Sequence, residues 1–381
     1  MHHHLPILCI VPPHMLQEIA RNGSQKQRDM AVRTILTSEQ MRGQRRALRE
    51  LKDYVTAAAM AAIGGGKQRT VYSAQQGSQL PGVKARGEGD PAASDAAVNE
   101  AYDGSGVTYD LFFDVYARDS IDNVGMPLNS TVHYQKGYDN AFWDGQQMVY
   151  GDGDEDLPVD QRLFNRFTAC LDVIGHELTH GVTQHEANLA YLTQSGALNE
   201  SFSDVFGSLV KQYQQGQTAA QANWIIGEGL FTSNVNGVGI RSMKAPGTAY
   251  DDPVLGKDPQ PGHMKDYVNT IEDNGGVHIN SGIPNHAFYV TAIEIGGNAW
   301  EKAGLIWYKT LTDKLQATSN FQNAADRTFE AAGELFGTDS LEQMAVRKGW
   351  SEVGITVGGS TGGDGCLNSV LRIFGLQVRN P

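Results

Sequence analysis

The segment His176-Glu177-Leu178-Thr179-His180 constrains this chain more than any other part of it. On a helix its two histidines stand at positions i and i+4, one turn apart on one face, so both imidazoles can reach one metal ion while Glu177 lies beside them. The apolar residues Leu171, Val173, Ile174 and Leu178 favour such a helix. The segment therefore predicts a metal-binding helix, with a pair of solvated helix histidines as the alternative.

A second pair of polar residues follows the motif. A catalytic zinc site needs a third protein ligand and an open fourth position. Glu200 lies twenty residues after His180, and Asp204 lies four residues after Glu200. A second helix would therefore present both acids on one face to the metal-binding helix. Glu200 would complete a His2Glu ligand set, and Asp204 could accept the second ring N–H of a ligand histidine. The alternative is an exposed acidic stripe.

Composition excludes other classes of protein. The chain has 43 acidic and 30 basic residues and a net charge of -13, which argues against a nucleic-acid binder. No apolar run reaches the length of a membrane-spanning helix, and Leu5 to Pro13 is broken by prolines and follows no basic cluster. We therefore expect no membrane segment and no secretory signal. Cys9, Cys170 and Cys366 lie far apart, which predicts unpaired thiols.

The pattern along the chain changes three times. Residues 1–62 are predicted to be a helical segment, ended by a hinge at Gly64-Gly65-Gly66; residues 68–175 are predicted to be β-rich, with strands such as Arg69 to Tyr72. Residues 176–357 show mainly helical periods, and 358–381 form a Gly-rich linker and an unassigned tail. Residues 1–60 carry a net charge of +4, so the remainder carries -17.

Four separate blocks resemble the thermolysin family of zinc endopeptidases. They occur in the family's order: Asn140-Ala141-Phe142-Trp143 with Met148 to Gly153, His176 to His180, Asn199 to Asp204, and Asp273-Asn274-Gly275-Gly276-Val277-His278-Ile279-Asn280-Ser281-Gly282. The resemblance covers most of residues 68–357. It implies an α+β fold with a β-rich N-terminal domain, a mainly helical C-terminal domain, and the zinc-binding helix between them.

The resemblance also implies roles for individual residues. Zinc would be held by His176, His180 and Glu200, with Asp204 behind His176 and Asn199 behind His180. Glu177 would be the general base that takes a proton from a zinc-activated water and passes it to the leaving amine. His278, oriented by Asp273, and Tyr191 would stabilise the tetrahedral oxyanion. Without the resemblance, His278 would be taken as a structural or surface histidine.

Substrate binding is implied in the same way. Asn140 and the Ala141 carbonyl would grip the substrate backbone as an added strand, and Arg241 would hold a carbonyl after the scissile bond. Arg241 is otherwise a surface cation. Val173 and Ile240 match walls of the family's apolar pocket, so we expect cleavage before large hydrophobic residues such as Leu, Phe or Ile.

The chain departs from the family at its calcium site. Asp172 and Glu228 match two carboxylates of the family's double calcium site, but Lys211 replaces a third, and Asn223, Ile225 and Gly229 stand where nearby acids would be. An ammonium removes the negative charge that a hard dication requires. We therefore expect Lys211 to pair with Asp172 or Glu228 and the double site to be lost. The Asp-rich stretch from Gly151 to Asp156 could bind an ion, although a solvated loop is the simpler reading.

The N-terminal segment predicts a zymogen. Cys9 to Leu16 resembles the short propeptides of protealysin-like members, which implies that residues 1–62 are a propeptide inhibiting its own enzyme. Its positive charge favours docking on the acidic remainder. Pro12-Pro13 is expected to lie in the cleft as a poor substrate. Capping of the zinc by Cys9 or His14 is a further possibility.

The sequence thus predicts a monomeric zinc endopeptidase precursor acting on peptides and proteins, with no nucleic-acid or membrane partner. One rival is a catalytically silent scaffold that binds peptides or proteins. The other is an intracellular processing or stress protein with a purely structural zinc. The protein is expected either in the cytoplasm or secreted by a non-classical route.

Overall fold

A computed structural model describes residues 8–52 and 66–358. The glycines Gly64 and Gly65 of the predicted hinge, the tail from residue 359 onward and Cys366 lie outside the described residues. Within the described part, Cys9 and Cys170 form no disulfide.

The N-terminal segment is a short strand followed by two helices. Strand β1 is Leu8–Cys9, helix α1 is Pro13–Asn22 and helix α2 is Gln25–Lys52. Proline suits the first position of α1 because that position's N–H has no partner within a helix. The helical pattern predicted from residue 14 is therefore interrupted at Gly23, where a Cβ would lie 2.7 Å from the Ile19 carbonyl oxygen.

A six-stranded sheet forms the β-rich part. Besides β1 its strands are β2 Arg69–Ser73, β3 Val83–Gly87, β4 Leu128–Val132, β5 Ala141–Trp143 and β6 Met148–Tyr150. They stand in the order β1-β5-β6-β4-β2-β3, and β1 pairs antiparallel with β5 at one edge, with Cys9 opposite Phe142. The N-terminal segment thus adds an edge strand to this sheet.

A long helix lies within the region predicted to be β-rich. Helix α3, Ala96–Tyr116, is capped by Asp95, whose side chain accepts a hydrogen bond from Ala97 N. Its glycines allow close packing: a Cβ on Gly104 would lie 2.4 Å from Ile174 Cδ1, and one on Gly106 would lie 2.3 Å from Arg69 Nη1. The helix packs across the sheet and against the metal-binding helix because these positions carry no side chain.

The rest of the chain is mainly helical. The helices are α4 Leu171–His185, α5 Thr193–Gln215, α6 Asp273–Asn280, α7 Gly282–Ile295, α8 Lys302–Asp313, α9 Phe321–Phe336 and α10 Leu341–Glu352. Two small hairpins pair β7 Ile225–Ile226 with β8 Arg241–Ser242, and β9 Asp251–Asp252 with β10 Gly256–Lys257.

Two glycines bring the central helices together. A Cβ on Gly207 of α5 would lie 2.4 Å from the Asp172 carbonyl oxygen, and a Cβ on Gly175 of α4 would lie 3.1 Å from the Gly207 Cα. Every residue of α4 from Asp172 to Thr183 is buried. The close approach places the polar residues of both helices face to face inside the protein. No described helix is long and apolar enough to cross a bilayer.

Candidate metal centre and active site

Three side chains converge where α4 and α5 meet. His176 Nε2 lies 3.6 Å from Glu200 Oε2, and His180 Nε2 lies 3.5 Å from Glu200 Oε1. Sets of three or more His, Cys, Asp or Glu side chains can hold a metal ion when their ligand atoms lie close together. Among the described residues, these three form the only such set with all ligand atoms within 4.8 Å of one another. The two Nε2 atoms and Glu200 Oε2 are buried and have no hydrogen-bond partner among the described residues. Three buried ligand atoms that lie close together without hydrogen-bond partners fit a metal site.

The opposite ring nitrogens are held in place. His176 Nδ1 lies 2.8 Å from Asp204 Oδ1, and His180 Nδ1 lies 2.8 Å from Asn199 Oδ1 and 2.9 Å from Ser203 Oγ. With the proton on Nδ1, each Nε2 presents its lone pair to the shared point. Burial lowers the pKa of His180 well below its usual value, which keeps the ring neutral and able to bind a metal. Ser203 was not picked out from the sequence.

Glu177 lies beside this group. Its Oε2 accepts a hydrogen bond of 3.2 Å from the Trp143 backbone N–H, and its buried Oε1 has no partner among the described residues. Burial and the Glu200 carboxylate raise the pKa of Glu177 well above its usual value. A buried carboxyl group with a raised pKa and one oxygen without a hydrogen-bond partner can exchange a proton with a bound reactant.

A second set of donors lies across from Glu177. His278 Nδ1 lies 2.6 Å from Asp273 Oδ1, and its Nε2 lies 3.1 Å from the hydroxyl of Tyr191, which also hydrogen-bonds Glu200. Burial alone would lower the pKa of His278, but the carboxylates of Asp273 and Glu200 outweigh it and raise the pKa to about 9. His278 therefore carries a proton on each nitrogen at neutral pH and can donate from Nε2.

The residues predicted to grip substrate backbone are also brought together. Asn140 Oδ1 accepts from Val11 N at 3.0 Å, and the Ala141 carbonyl accepts from Ile10 N at 3.3 Å. Arg241 is buried and donates from Nη1 to the Ile10 carbonyl at 3.1 Å. The predicted surface role for Arg241 is thereby excluded. Each of these groups contacts a backbone atom of the N-terminal segment.

Val173 and Ile240, predicted as pocket walls, are buried in the same apolar cluster as Ile10.

The N-terminal segment occupies the cleft differently from the sequence expectation. Cys9 to Val11 make the backbone contacts with the site, whereas Pro12 is the extended residue before helix α1 and Pro13 is its first residue. The prolines thus follow the segment in the cleft and do not form it, contrary to the prediction. The Cys9 carbonyl oxygen lies 3.0 Å from His278 Nε2. The side chains predicted as possible zinc caps point elsewhere. Cys9 Sγ lies 4.0 Å from Ser38 Oγ, and His14 Nε2 lies 3.1 Å from the Tyr250 hydroxyl.

Lys211 lies between two acidic side chains. Its Nζ lies 2.8 Å from Glu228 Oε2 and 3.4 Å from the buried Asp172 Oδ2, which also accepts from Gly227 N at 3.1 Å. Burial would lower the pKa of Lys211, but Asp172 and Glu228 outweigh it and raise the pKa. The lysine therefore stays charged between the two acids.

Family models match nearly the whole described chain. The model described as the thermolysin metallopeptidase catalytic domain matches residues 39–184, and the one described as its alpha-helical domain matches residues 187–355. His176, Glu177 and His180 lie in the first matched region, and Tyr191, Glu200 and His278 lie in the second.

Full-length relatives show the same similarity. The chain is 50% identical over 353 residues to an extracellular metalloprotease of Pectobacterium carotovorum, covering 92% of this chain and 97% of that protein. It is 40% identical to a thermolysin of Alicyclobacillus acidocaldarius, covering 74% of this chain and 50% of that one. The solved structure of the precursor of protealysin, a metalloproteinase from Serratia proteamaculans, matches with a TM-score of 0.81 and 51% identity over 92% of this chain and all of that one.

Proposed function

This chain belongs to the thermolysin family of metallopeptidases, and from that premise we propose which of its residues carry out each part of the reaction. It is a zinc-dependent neutral endopeptidase made as a zymogen, with peptides and proteins as substrates and its own propeptide as inhibitor. The observation that carries the residue assignment is the convergence of three orphaned ligand atoms beside Glu177.

We assign the zinc ion to His176, His180 and Glu200. Bonds of about 2.1 Å arranged tetrahedrally would place two ligand atoms about 3.4 Å apart. The separations of 3.6 Å and 3.5 Å between the imidazole nitrogens and the carboxylate oxygens suit that geometry. Asp204 and Asn199 would orient the two rings. A fourth coordination position would be left open for a water molecule, with Glu177 next to the ligand His176 in the chain.

The mechanism follows from the groups around that position. A zinc ion bound there would acidify a water molecule and polarise the scissile carbonyl. Glu177 takes the water's proton with its unpartnered carboxylate oxygen and returns it to the departing amine. His278, protonated by its contact with Asp273, donates from Nε2 to the oxygen that becomes negative, and the Tyr191 hydroxyl lies next to it. No covalent intermediate with the protein is required.

The propeptide supports a register for the substrate. The Cys9 carbonyl contacts His278, the Ile10 amide and carbonyl contact Ala141 and Arg241, and Val11 contacts Asn140. A substrate bound in the same way would place its scissile bond where Cys9 joins Ile10. The residue after that bond would enter the apolar cluster that holds Ile10, Val173 and Ile240, which supports cleavage before large hydrophobic residues.

Two further proposals concern ions and assembly. We propose that Lys211 replaces calcium at the family's double site, since its ammonium lies between Asp172 and Glu228. We also propose that the zymogen is a monomer, because one chain supplies every group of the site and the segment that covers it. Calcium retained after extensive dialysis would contradict the first proposal, and a dimer in sedimentation would contradict the second.

The assignment is tested with peptides that vary only after the scissile bond. Mature enzyme should cleave peptides with Leu, Phe or Ile at that position at least ten-fold faster, in kcat/KM, than peptides with Asp or Gly, because burying such a side chain contributes about 1.5–3 kcal/mol. Arg241→Ala should raise KM with both classes. Equal rates for Leu and Asp peptides would contradict the assigned pocket.

A further inference from the structure

We propose that Asn285 is a positioning residue that fixes the Asp204 carboxylate and, through it, both the zinc ligand His176 and the substrate-binding Arg241. The proposal rests on the function proposed above and adds a residue that neither the motif nor the resemblance identified. Asn285 lies in the first turn of α7 and is fully buried. Its Nδ2 lies 2.8 Å from Asp204 Oδ2.

The Asp204 carboxylate has four hydrogen-bond donors around it. Oδ1 accepts from His176 Nδ1 at 2.8 Å and from Arg241 Nη2 at 2.7 Å, and Oδ2 accepts from Arg241 Nε and Asn285 Nδ2, both at 2.8 Å. Two nitrogens of the Arg241 guanidinium contact the two oxygens of Asp204, as in an ion pair with an ionised carboxylate. An ionised carboxylate only accepts hydrogen bonds, so the amide of Asn285 must present its NH2 group.

This arrangement lets one carboxylate serve two functions. The Oδ1 side sets the orientation of the His176 ring, and both oxygens hold the fork of Arg241, whose remaining nitrogen binds the Ile10 carbonyl. Without Asn285, Oδ2 would keep one donor and the carboxylate could rotate about its bond. Rotation would move the His176 ring and the Arg241 fork together.

The test compares two buried substitutions on α7. Asn285→Leu keeps the approximate shape and removes the donor. Thr291→Val is the matched control, since Thr291 is equally buried but donates only to carbonyl oxygens within α7 and α10, Ala287 and Ala345. We measure the zinc dissociation constant of the full chain by competition with a chelator, in a Glu177→Gln background that prevents self-cleavage. We then measure kcat and KM of the same α7 variants with Glu177 intact.

Asn285→Leu should weaken zinc binding about ten-fold, in the lower range for an outer-sphere partner, and should also raise KM. Thr291→Val should leave both within two-fold of wild type even if it lowers the melting temperature. Zinc affinity and KM of Asn285→Leu equal to those of Thr291→Val would overturn the proposal. If the wild type with saturating zinc failed to cleave any peptide, the proposed function itself would be wrong, and the two failures are thus distinct.

A second inference rests on a different contact. We infer that His14 is an acid-sensitive latch, which holds the propeptide on the catalytic domain while its imidazole is neutral and releases it on protonation. His14 is in the first turn of α1, directly after the segment in the cleft. Its Nε2 lies 3.1 Å from the Tyr250 hydroxyl, and its Nδ1 is shut off from solvent without a hydrogen-bond partner among the described residues.

The surroundings of His14 disfavour a positive charge. Desolvation is the largest cause; Arg241 of β8 and the protonated His278 of α6 add repulsion, and the N-terminal end of α1 opposes a cation as well. Asp273 of α6 and Glu18 of α1 act in the opposite direction, but Asp273 already pairs with His278. Together they lower the pKa of His14 to about 4.

The direction of the pH effect on propeptide docking follows from proton linkage. Above pH 6.5 the imidazole is neutral whether the propeptide is docked or released, so docking is unaffected. Below that pH the released propeptide binds a proton and the docked one does not, so docking weakens until the pH reaches about 4. Between pH 7 and pH 5 these two pKa values make release about 20-fold more favourable.

Another group near the interface opposes this effect. Asp139 donates its backbone N–H to Thr34 Oγ1 of α2 at 3.2 Å, and burial and Asp154 raise the pKa of its carboxyl well above the usual value. If release exposes Asp139, docking through α2 would be favoured at low pH. Only a comparison of variants at position 14 therefore isolates the histidine.

The test uses the zinc-loaded full chain with Glu177→Ala, which stays uncleaved. Hydrogen exchange gives the opening constant of the α1 amides at pH 7 and pH 5, with and without His14→Gln, whose amide nitrogen or oxygen can replace Nε2 at Tyr250. Between pH 7 and pH 5 the opening constant should rise about 20-fold more in the chain that keeps His14 than in the His14→Gln variant. Equal pH dependence in both chains would overturn the inference, as would an imidazole of His14 that titrates near 6.5 by NMR in the docked chain.

Discussion

Replacing Lys211 tests the account of the calcium position. Its ammonium lies against Asp172, whose side chain is 1% exposed, and Glu228, whose side chain is 51% exposed. Breaking a buried ion pair by removing one partner costs about 3–5 kcal/mol, whereas an exposed partner contributes little. Lys211→Met should therefore destabilise the protein by about 3 kcal/mol, almost all of it from Asp172 left without a counter-charge.

An unfolding entropy of about 2.1 cal/mol/K per residue makes 1 kcal/mol correspond to about 1.3 °C for 381 residues, so the melting temperature should fall by about 4 °C. The assay is thermal unfolding of the full chain in a Glu177→Gln background, with and without millimolar calcium. A second substitution, Asp172→Asn, should recover most of the loss, since an amide oxygen can still accept from Gly227 N. A fall below 2 °C for Lys211→Met, or a calcium-induced rise of several degrees in the wild type, would refute the reasoning.

Two other perturbations have clear expected results. Ile10 is fully buried, so Ile10→Ala should weaken propeptide docking by about 2–4 kcal/mol and shorten the lag before self-cleavage at least ten-fold. The control Leu36→Ala, at an exposed position of α2, should leave the lag unchanged. An unaltered lag for Ile10→Ala would contradict the docking contact. His133 lies between Asp152 and Asp95, whose carboxylates raise its pKa to about 9, so its stabilisation is complete below pH 6.5 and is lost as the pH rises through 9. Chemical unfolding should show about 1–2 kcal/mol less stability at pH 9.5 than at pH 6.5, and His133→Gln should remove that difference; the same pH dependence in both proteins would exclude the contact.

Local spacing made part of the site predictable. His176 and His180, and likewise Glu200 and Asp204, share a helix face by virtue of their separation alone. The placement of Tyr191, His278 and Arg241 around them came from the resemblance, because no local rule brings residues so far apart in sequence into contact.

The parts that were missed depend on long-range packing. Helix α3 was not predicted because glycine disfavours the interior of a helix. In this helix Gly104 and Gly106 leave room for the side chains of Ile174 and Arg69. The contact of His14 with Tyr250 joins residues 236 positions apart. That Cys9 to Val11 fill the cleft, with the prolines beginning α1, depends on pairing with β5 at the sheet edge, which the sequence pattern does not specify.

The central claim is that this chain is a zymogen whose zinc site removes its own propeptide. The most direct test is the intact mass of freshly purified protein over time, with and without a zinc chelator, beside Glu177→Ala. We predict loss of an N-terminal piece ending between Leu48 and Gly66, blocked by the chelator and absent in the variant. A wild type that stays whole and leaves a Leu- or Phe-containing peptide intact would contradict the claim.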